Sequence, residues 1–538
     1  MITAFNLWSQ FLETAIRLQS QKFTIRSESR SIININYLVI LFCGMLLVSC
    51  GKEQNRPNII YILADDLGYG ELGVYGQKLI ETPHIDALAK TGMRFLQHYS
   101  GSPVCAPSRS VLMTGQHSGH THIRGNDEWT ERGDTWNYAA MFENPFLEGQ
   151  RPLLDSIITV AEILQNAGYK TGSVGKWGLG GPETEGTPNK QGFDFFYGYN
   201  CQRQAHTLYP MHLWKDEVRD LLNNRMVPPH ADLKDGADTN EPASYDDFRL
   251  NDYAPELMHK EALNFIENNK DFPFFLYYAS PLPHAPLQAP QHWVDYYQQK
   301  FGAEEPYTGK SYFPNLTPRA TYAAMISYLD EQVGDIVAKL QDLGLYENTL
   351  IIFTSDNGPT YSGGADTPFF ESAKPFKTER GWAKGYLHEG GIRVPMIASW
   401  PGHIEPNSKS DHLSAFYDVL PTMCEIIGLP IPDQTDGISL LPTLLNNSQK
   451  KKHEYLYWEF PAYNGQQAVR LGKWKGIRKD IFDGNLNVEL YDLDNDIQEQ
   501  NNLAAQYPEV VEKIEAIMKQ EHIPSSLDKF KFTQLGDE

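Results

Sequence analysis

Positive charge is scarce in this chain. Its 538 residues carry 46 Lys+Arg against 68 Asp+Glu, a formal net charge of -22. DNA and RNA are bound through a basic face, so this balance argues against nucleic acid as a partner. It also means that an anionic substrate must be met by cations gathered at its own site. Internal repeats are lacking, which removes stacked-repeat architectures. A long unbroken apolar run is lacking too: the stretch 31–49 is interrupted by Asn34 and Asn36 and is short for a membrane span. At this length the chain exceeds one ordinary domain, and a large α/β domain with a smaller partner is expected.

The stretch 31–49 follows Arg26 and Arg30 and ends at Leu47-Val48-Ser49-Cys50. That order resembles a lipoprotein export signal, with small residues before a cysteine that is lipidated. Residues 1–50 are thus expected to be a signal segment, the mature chain to start at Cys50, and residues 51–56 to form a polar tether. An exported lipoprotein of the periplasm or outer membrane and cell surface follows, touching the membrane through its lipid alone. Cysteine is also scarce, five in all. With Cys43 removed and Cys50 lipidated, Cys105, Cys201 and Cys424 remain. An odd number cannot all pair, which reserves at least one thiol for another purpose.

What is abundant is alternation of apolar strand-like runs with helical patterns over 57–429, the signature of parallel βαβ units in a mostly parallel sheet between helices. Strands are expected at 58–64, 171–175, 272–279 and 349–354, and helices at 82–91, 159–167 and 322–343. The polar stretches 125–149 and 216–252 are too long for plain connectors and are expected to border a cleft. Beyond residue 429 short strands at 455–460, 468–470, 474–478 and 489–493, then a helix at 508–520, predict a small antiparallel α+β domain over 430–538.

Two of the strands end alike. Residues 58–64 run into Asp65-Asp66, and 349–354 run into Ser355-Asp356-Asn357-Gly358. Sites form at carboxyl strand ends in open α/β sheets. Three carboxylates and an amide carbonyl are hard oxygen donors, suited to Ca²⁺ or Mg²⁺ rather than zinc. Between them lies Cys105-Ala106-Pro107-Ser108-Arg109, closed by Thr114-Gly115. Pro107 favours a first helical position and Gly115 a helix end, so Cys105 is expected just before a helix N-terminus. Backbone N–H groups there favour an anion, and Arg109 one turn on could reach back to it.

The Cys-x-Pro-Ser-Arg run with its following Thr-Gly resembles the signature of the type I sulfatases, the arylsulfatase family of the alkaline phosphatase superfamily. The resemblance runs from about residue 57 to 504. It implies an alkaline phosphatase-like fold and oxidation of Cys105 to formylglycine (3-oxoalanine) by a formylglycine-generating enzyme. It further implies one Ca²⁺ held by Asp65, Asp66, Asp356, Asn357 and modified Cys105. Arg109 would stabilise the nucleophile, and Lys176 and Lys384 would hold sulfate oxygens. His284, in Pro283-His284-Ala285-Pro286, resembles the histidine that contacts the ester and serves the leaving group.

One position departs from the family pattern: many members have His where this chain has Gly178. Another histidine is expected to fill that role, His206 first, then His212, His120 and His122. Export, lipid anchoring and long aromatic-bearing loops favour a sulfated carbohydrate as substrate. Trp129, Trp136, Tyr199, Tyr209 and Trp214 are placed either against sugar faces or in packing, and Arg124 and Asn126 are candidates for sugar hydroxyls. The rivals are a phosphatase or phosphodiesterase on the same fold, and a non-catalytic sulfated-glycan binding lipoprotein.

Overall fold

Seven residues, NIIYILA, form β1 (Asn58–Ala64), buried along its whole length. A continuous apolar run of this kind suits a parallel strand covered on both faces. In the computed structural model, which describes residues 56–538, the alternation of β1 divides two cores. Ile59, Tyr61 and Leu63 enter one, and Ile60, Ile62 and Ala64 the other. The expected export segment, Cys50 and residues 51–55 of the tether lie outside the described residues.

Further strands follow as β2 (Met93–Phe95), β3 (His98–Tyr99), β4 (Lys170–Lys176), β5 (Phe195–Tyr199), β6 (His212–Lys215), β7 (Val218–Leu221), β8 (Phe274–Ala279), β9 (Thr349–Ser355), β10 (Met396–Ser399), β11 (Ser408–Ser410) and β12 (Ser414–Ala415). Ten of them join in the order β11-β2-β10-β9-β1-β8-β4-β5-β6-β7. Its centre, β9-β1-β8-β4-β5, is parallel throughout. Antiparallel pairings flank it at β10 and at β6 and β7.

One face of the sheet is covered by the helices Pro83–Thr91, Ala254–Asn268, Gln291–Phe301 and Pro318–Asp342, whose Leu88, Met258, Val294 and Leu329 share the second core. The other face takes Cys105–Thr114, Val160–Asn166 and Val419–Ile426. Four C-terminal strands, β13 (Leu456–Phe460), β14 (Gln466–Leu471), β15 (Trp474–Lys479) and β16 (Val488–Asp492), form a separate antiparallel sheet in sequence order. Leu456, Trp458 and Ile477 of this sheet belong to the first core, while Tyr457, Val469 and Leu490 pack on Ile514 and Met518 of the helix Pro508–Glu521.

The α/β class and the small antiparallel sheet match the expectation, with boundaries shifted by a few residues. The largest shift that touches the site concerns Cys105, which opens the helix Cys105–Thr114 rather than preceding it. Pro107 therefore stands third, where its missing N–H is still one of the helix's unpaired donors. Gly115 ends the helix in the left-handed region at φ 68.

Candidate active site

Strands β1 and β9 are direct parallel neighbours, with Ala64 opposite Ser355. The two acidic strand ends are thereby brought side by side. Asp356 N–H donates to the Ala64 carbonyl at 3.0 Å, and Asp66 N–H donates to Asp356 Oδ1 at 3.2 Å. Asp66 takes a left-handed φ of 66, which Asp tolerates better than most residues. Asn357 Nδ2 donates to Asp66 Oδ1 at 2.7 Å, so its Oδ1 is the free acceptor. That Oδ1 is buried and has no hydrogen-bond partner among the described residues. Asp65, Asp66, Asp356 and Asn357 are all fully buried. An all-oxygen donor set with an unmet carbonyl fits a hard divalent ion.

The helix Cys105–Thr114 aims its first turn at this cluster. Cys105 Sγ lies 3.3 Å from Asp65 Oδ1 and 3.5 Å from Lys176 Nζ. Arg109, fully buried, places Nη2 2.8 Å and Nε 3.1 Å from Asp356 Oδ2 and also donates to the Lys176 carbonyl. Lys176, at the end of β4, reaches Asp65 Oδ2 at 2.6 Å. Lys384 reaches Asp66 Oδ2 at 2.7 Å, on a segment tied back by Gly385 N–H to the Pro103 carbonyl. The local cations that an acidic chain must gather for an anion are thus Arg109, Lys176 and Lys384.

His284 follows β8, and Asp65 N–H bonds the Leu282 carbonyl of the same loop. Its Nδ1 donates to the Ala285 carbonyl, which leaves Nε2 facing Asp66 Oδ2 at 3.7 Å. Ligand atoms of Asp65, Asp66, Cys105 and His284 all lie within 4.8 Å of one another.

The electrostatics follow from this packing. Burial pushes the Asp65 carboxyl up, but Lys176, His284 and Arg109 outweigh it and hold it well below the usual range. Burial and the Asp65 charge raise Asp356 to about 7. Burial, helped by Asp65, lifts the Cys105 thiol far above its ordinary value, so the unmodified side chain is a protonated, weak nucleophile. Burial with Lys384 and Lys176 depresses His284 strongly.

His206 arrives from another element and stacks on His284, with ring centroids 5.6 Å apart and planes at 19°. Asn126 also reaches the site: its Oδ1 accepts from Ala106 N–H at 3.1 Å. Arg124 is not brought there. Its guanidinium is buried against Glu459, with Nη1 2.7 Å from the Ile523 carbonyl and Nε 3.1 Å from that of Thr121, which turns the side chain to the C-terminal sheet instead. The reserve histidines are engaged elsewhere. His212 lies on Glu148 at 2.9 Å, His120 on Asp436 at 2.9 Å, and His122 beside Ser526. Of the aromatics, Tyr199, Tyr209 and Trp214 are packing residues, and Trp136 is 51% exposed beneath Arg203.

Two residues around the histidines had no sequence signal. Tyr312 sets its ring 5.8 Å from His284 and 5.1 Å from His206, and His230 Nε2 lies 3.3 Å from His206 Nδ1. Both come from irregular segments without a motif. The long polar stretches reach the site through Asn126 and His230.

A parallel sheet carrying a divalent-ion cradle, a helix-mounted cysteine and three converging cations defines a hydrolase of anionic esters. A sulfatase family profile matches residues 57–429, and the N-sulphoglucosamine sulphohydrolase C-terminal profile matches residues 378–523. The chain belongs to the sulfatase family and is a sulfuric ester hydrolase. It is 33% identical to human arylsulfatase A over 457 residues, covering 80% of this chain and 76% of that protein. It is 28% identical to the N-acetylgalactosamine-6-O-sulfatase of Bacteroides thetaiotaomicron over 553 residues, covering 90% and 99%. Among solved structures, Ps i-CgsB superposes with a TM-score of 0.66 at 27% identity, covering 87% and 94%, and has also been crystallised with k-i-k-neocarrahexaose. The phosphonate monoester hydrolase of Agrobacterium radiobacter shares the fold at a TM-score of 0.57 and 20% identity, over 87% of this chain and 96% of that one.

Proposed function

We propose that this protein hydrolyses sulfate esters of carbohydrates, through a formylglycine made from Cys105 beside a calcium ion, as an exported protein lipidated at Cys50. The observation that carries the reading is the placement of Cys105 in the first turn of its helix, within 3.5 Å of both Asp65 and Lys176. Formylglycine and calcium together supply an oxygen nucleophile that is reactive at neutral pH. Asp65, Asp66, Asp356 and Asn357 hold the ion, and Arg109 orients the nucleophile. Lys176 and Lys384 bind the sulfate oxygens and face the charge that develops on them.

A sugar alkoxide is a poor leaving group and needs a proton. His284 is assigned as that acid. Its Nε2 faces the site, and the dianionic transition state offsets the two lysines that depress it. His206, stacked on it, takes the role vacated at Gly178, which is release of the bound sulfate. A cavity of about 970 Å³ holding Tyr307, Tyr361, Lys310 and Arg380 opens where Gly363 packs against Ala285 and Tyr312, giving room for a saccharide.

The test is free sulfate release from N-acetylgalactosamine 6-sulfate, glucosamine 6-sulfate and galactose 4-sulfate, beside mass spectrometry of the Cys105 peptide. Cleavage of at least one sugar, and a Cys105 residue that has lost its sulfur, are expected. An intact thiol in active enzyme, or turnover of a phosphodiester alone, overturns the proposal.

A further inference from the structure

Gly178 is the position at which the sequence departs from the family pattern it resembles, and the structure shows what holds that space. Gly178 has φ 81, and a Cβ there would come 2.5 Å from Gln202 Cγ and 2.8 Å from its Cδ. A side chain at 178 could therefore enter only if the Gln202 side chain left its present position. Gln202 opens the short helix Gln202–His206, which ends in the histidine stacked on His284. Gly178 lies two residues beyond Lys176, and its N–H is fixed on the Asn200 carbonyl at 3.1 Å.

The hydrogen bonds of Gln202 determine which atom points where. Asn126 Oδ1 must be an acceptor, because Ala106 N–H, next to Cys105, donates to it at 3.1 Å. The Gln202 atom 3.2 Å from that same oxygen is then Nε2, a second donor. Two consequences follow. Asn126, an exposed residue, has its carbonyl fixed inward and turns its Nδ2 amino group outward. Gln202, only 4% exposed, is left with an Oε1 that has no hydrogen-bond partner among the described residues. Buried carbonyls are nearly always paired with protein, water or ligand, so an open one that is linked through Asn126 to the backbone beside Cys105 calls for a partner at the site.

We infer that Gln202 and Asn126 form a hydroxyl-reading pair, in which Gln202 Oε1 accepts a hydrogen bond from a sugar hydroxyl near the scissile ester and Asn126 Nδ2 donates to it or to its neighbour. This rests on the reading that the substrate is a sulfated carbohydrate and names the residues that select it. A hydroxyl both donates and accepts, which this pair matches, whereas a simple aryl ester offers no donor to Oε1. Sites built around a substrate hydroxyl discriminate strongly against analogues without one, because their buried polar groups are then left unpaired.

The experiment uses the C105S protein produced without a maturing enzyme, so that its side chain stays a hydroxyl and the protein does not turn over, loaded with calcium. Calorimetry measures the affinity of 4-nitrophenyl sulfate and of whichever of the three sulfated sugars the mature enzyme cleaves fastest. C105S/Q202M, of equal side-chain length but without the carbonyl, is expected to bind the sugar sulfate about ten- to a hundredfold more weakly than C105S. The aryl sulfate is expected to change by less than about threefold. C105S/N126A, altered at an exposed position, removes the other arm and carries the same expectation should Q202M fold poorly. Equal weakening of both ligands, or no change in either, overturns the pair. Failure of C105S to bind any sulfate ester, with cleavage of none by the mature enzyme, overturns the proposed function itself.

Discussion

Arg109 sets two nitrogens against a single oxygen of Asp356, Nε at 3.1 Å and Nη2 at 2.8 Å, with both side chains fully buried. The same guanidinium bonds the backbone of Lys176, so one residue ties the nucleophile helix to β9 and β4. Removing one partner of a buried pair strands the other charge, at a cost of about 3–5 kcal/mol. R109A is accordingly expected to lower the thermal midpoint sharply and to reduce turnover by about 10²–10³. R109K keeps the charge but loses the planar geometry, and should fall between the two in both thermal melts and sulfate release.

Calcium is expected to hold the four acidic-end residues together. Chelation with EGTA should lower the unfolding temperature and abolish sulfate release, and added calcium should restore both. An ion present at 100 times its dissociation constant contributes about 2.7 kcal/mol of apparent stability. N357L removes the unpaired carbonyl and should shrink the calcium-dependent shift in melting temperature. A shift of full size in N357L would remove Asn357 from the ligand set.

His206 tests the division of labour between the stacked histidines. H206A is expected to reduce kcat by about 10²–10⁴, the range for loss of a general acid or base. The calcium-dependent thermal shift should be retained, since His206 contacts none of the acidic residues through a hydrogen bond or ion pair described here. Turnover near that of the unaltered enzyme would transfer the role to another residue.

Gly178 and Gln202 should be energetically coupled. G178H meets both a left-handed backbone and the Gln202 stem, and is expected to destabilise by about 1–3 kcal/mol. Combining it with Q202A removes the clash. A double-mutant cycle by denaturant unfolding should then give a coupling of at least about 1 kcal/mol. Additive effects would show that the two positions do not share space.

His98 predicts an acid limit to stability. It is fully buried, bonded to Ser414 Oγ at 2.9 Å, and burial, only partly countered by Asp418, lowers its pKa to about 3. The unfolded chain binds this proton from about pH 6.5 downward while the folded chain does not. The contribution of His98 is therefore complete above pH 6.5 and is lost as pH falls towards 3. Between pH 6.5 and pH 5 that amounts to about 2 kcal/mol, at about 1.4 kcal/mol per unit. H98Q, which can still bond Ser414, should show a correspondingly flatter fall in unfolding free energy over that interval.

The parts of the site that the sequence disclosed are those on regular elements. Asp65, Asp66, Asp356 and Asn357 sit at strand ends, and Cys105 and Arg109 on one helical turn, so spacing and strand logic place them without tertiary knowledge. Lys176, His284 and Lys384 needed family resemblance, because a lone lysine or histidine at a strand end or on a loop has no periodicity to betray it. Tyr312, His230 and Gln202 escaped both routes. Their roles depend on which loops meet over the sheet, a relation set by packing. Arg124 shows the opposite failure: its position just past the nucleophile helix suggested the cleft, but Glu459 of the C-terminal sheet claims its guanidinium. The small sheet was legible as strands, yet its sharing of the main core was not.

On the proposed reading, the burial of Cys105, 1% exposed, constrains when its oxidation could happen. An oxidising enzyme must reach this side chain, and here Cys105 opens a buried helix that follows the buried, irregular residues 101–104. That oxidation would therefore have to precede closure of the chain around it. A copy that folded first would keep its sulfur, so the active fraction of a preparation would record a race between chain collapse and the maturing enzyme.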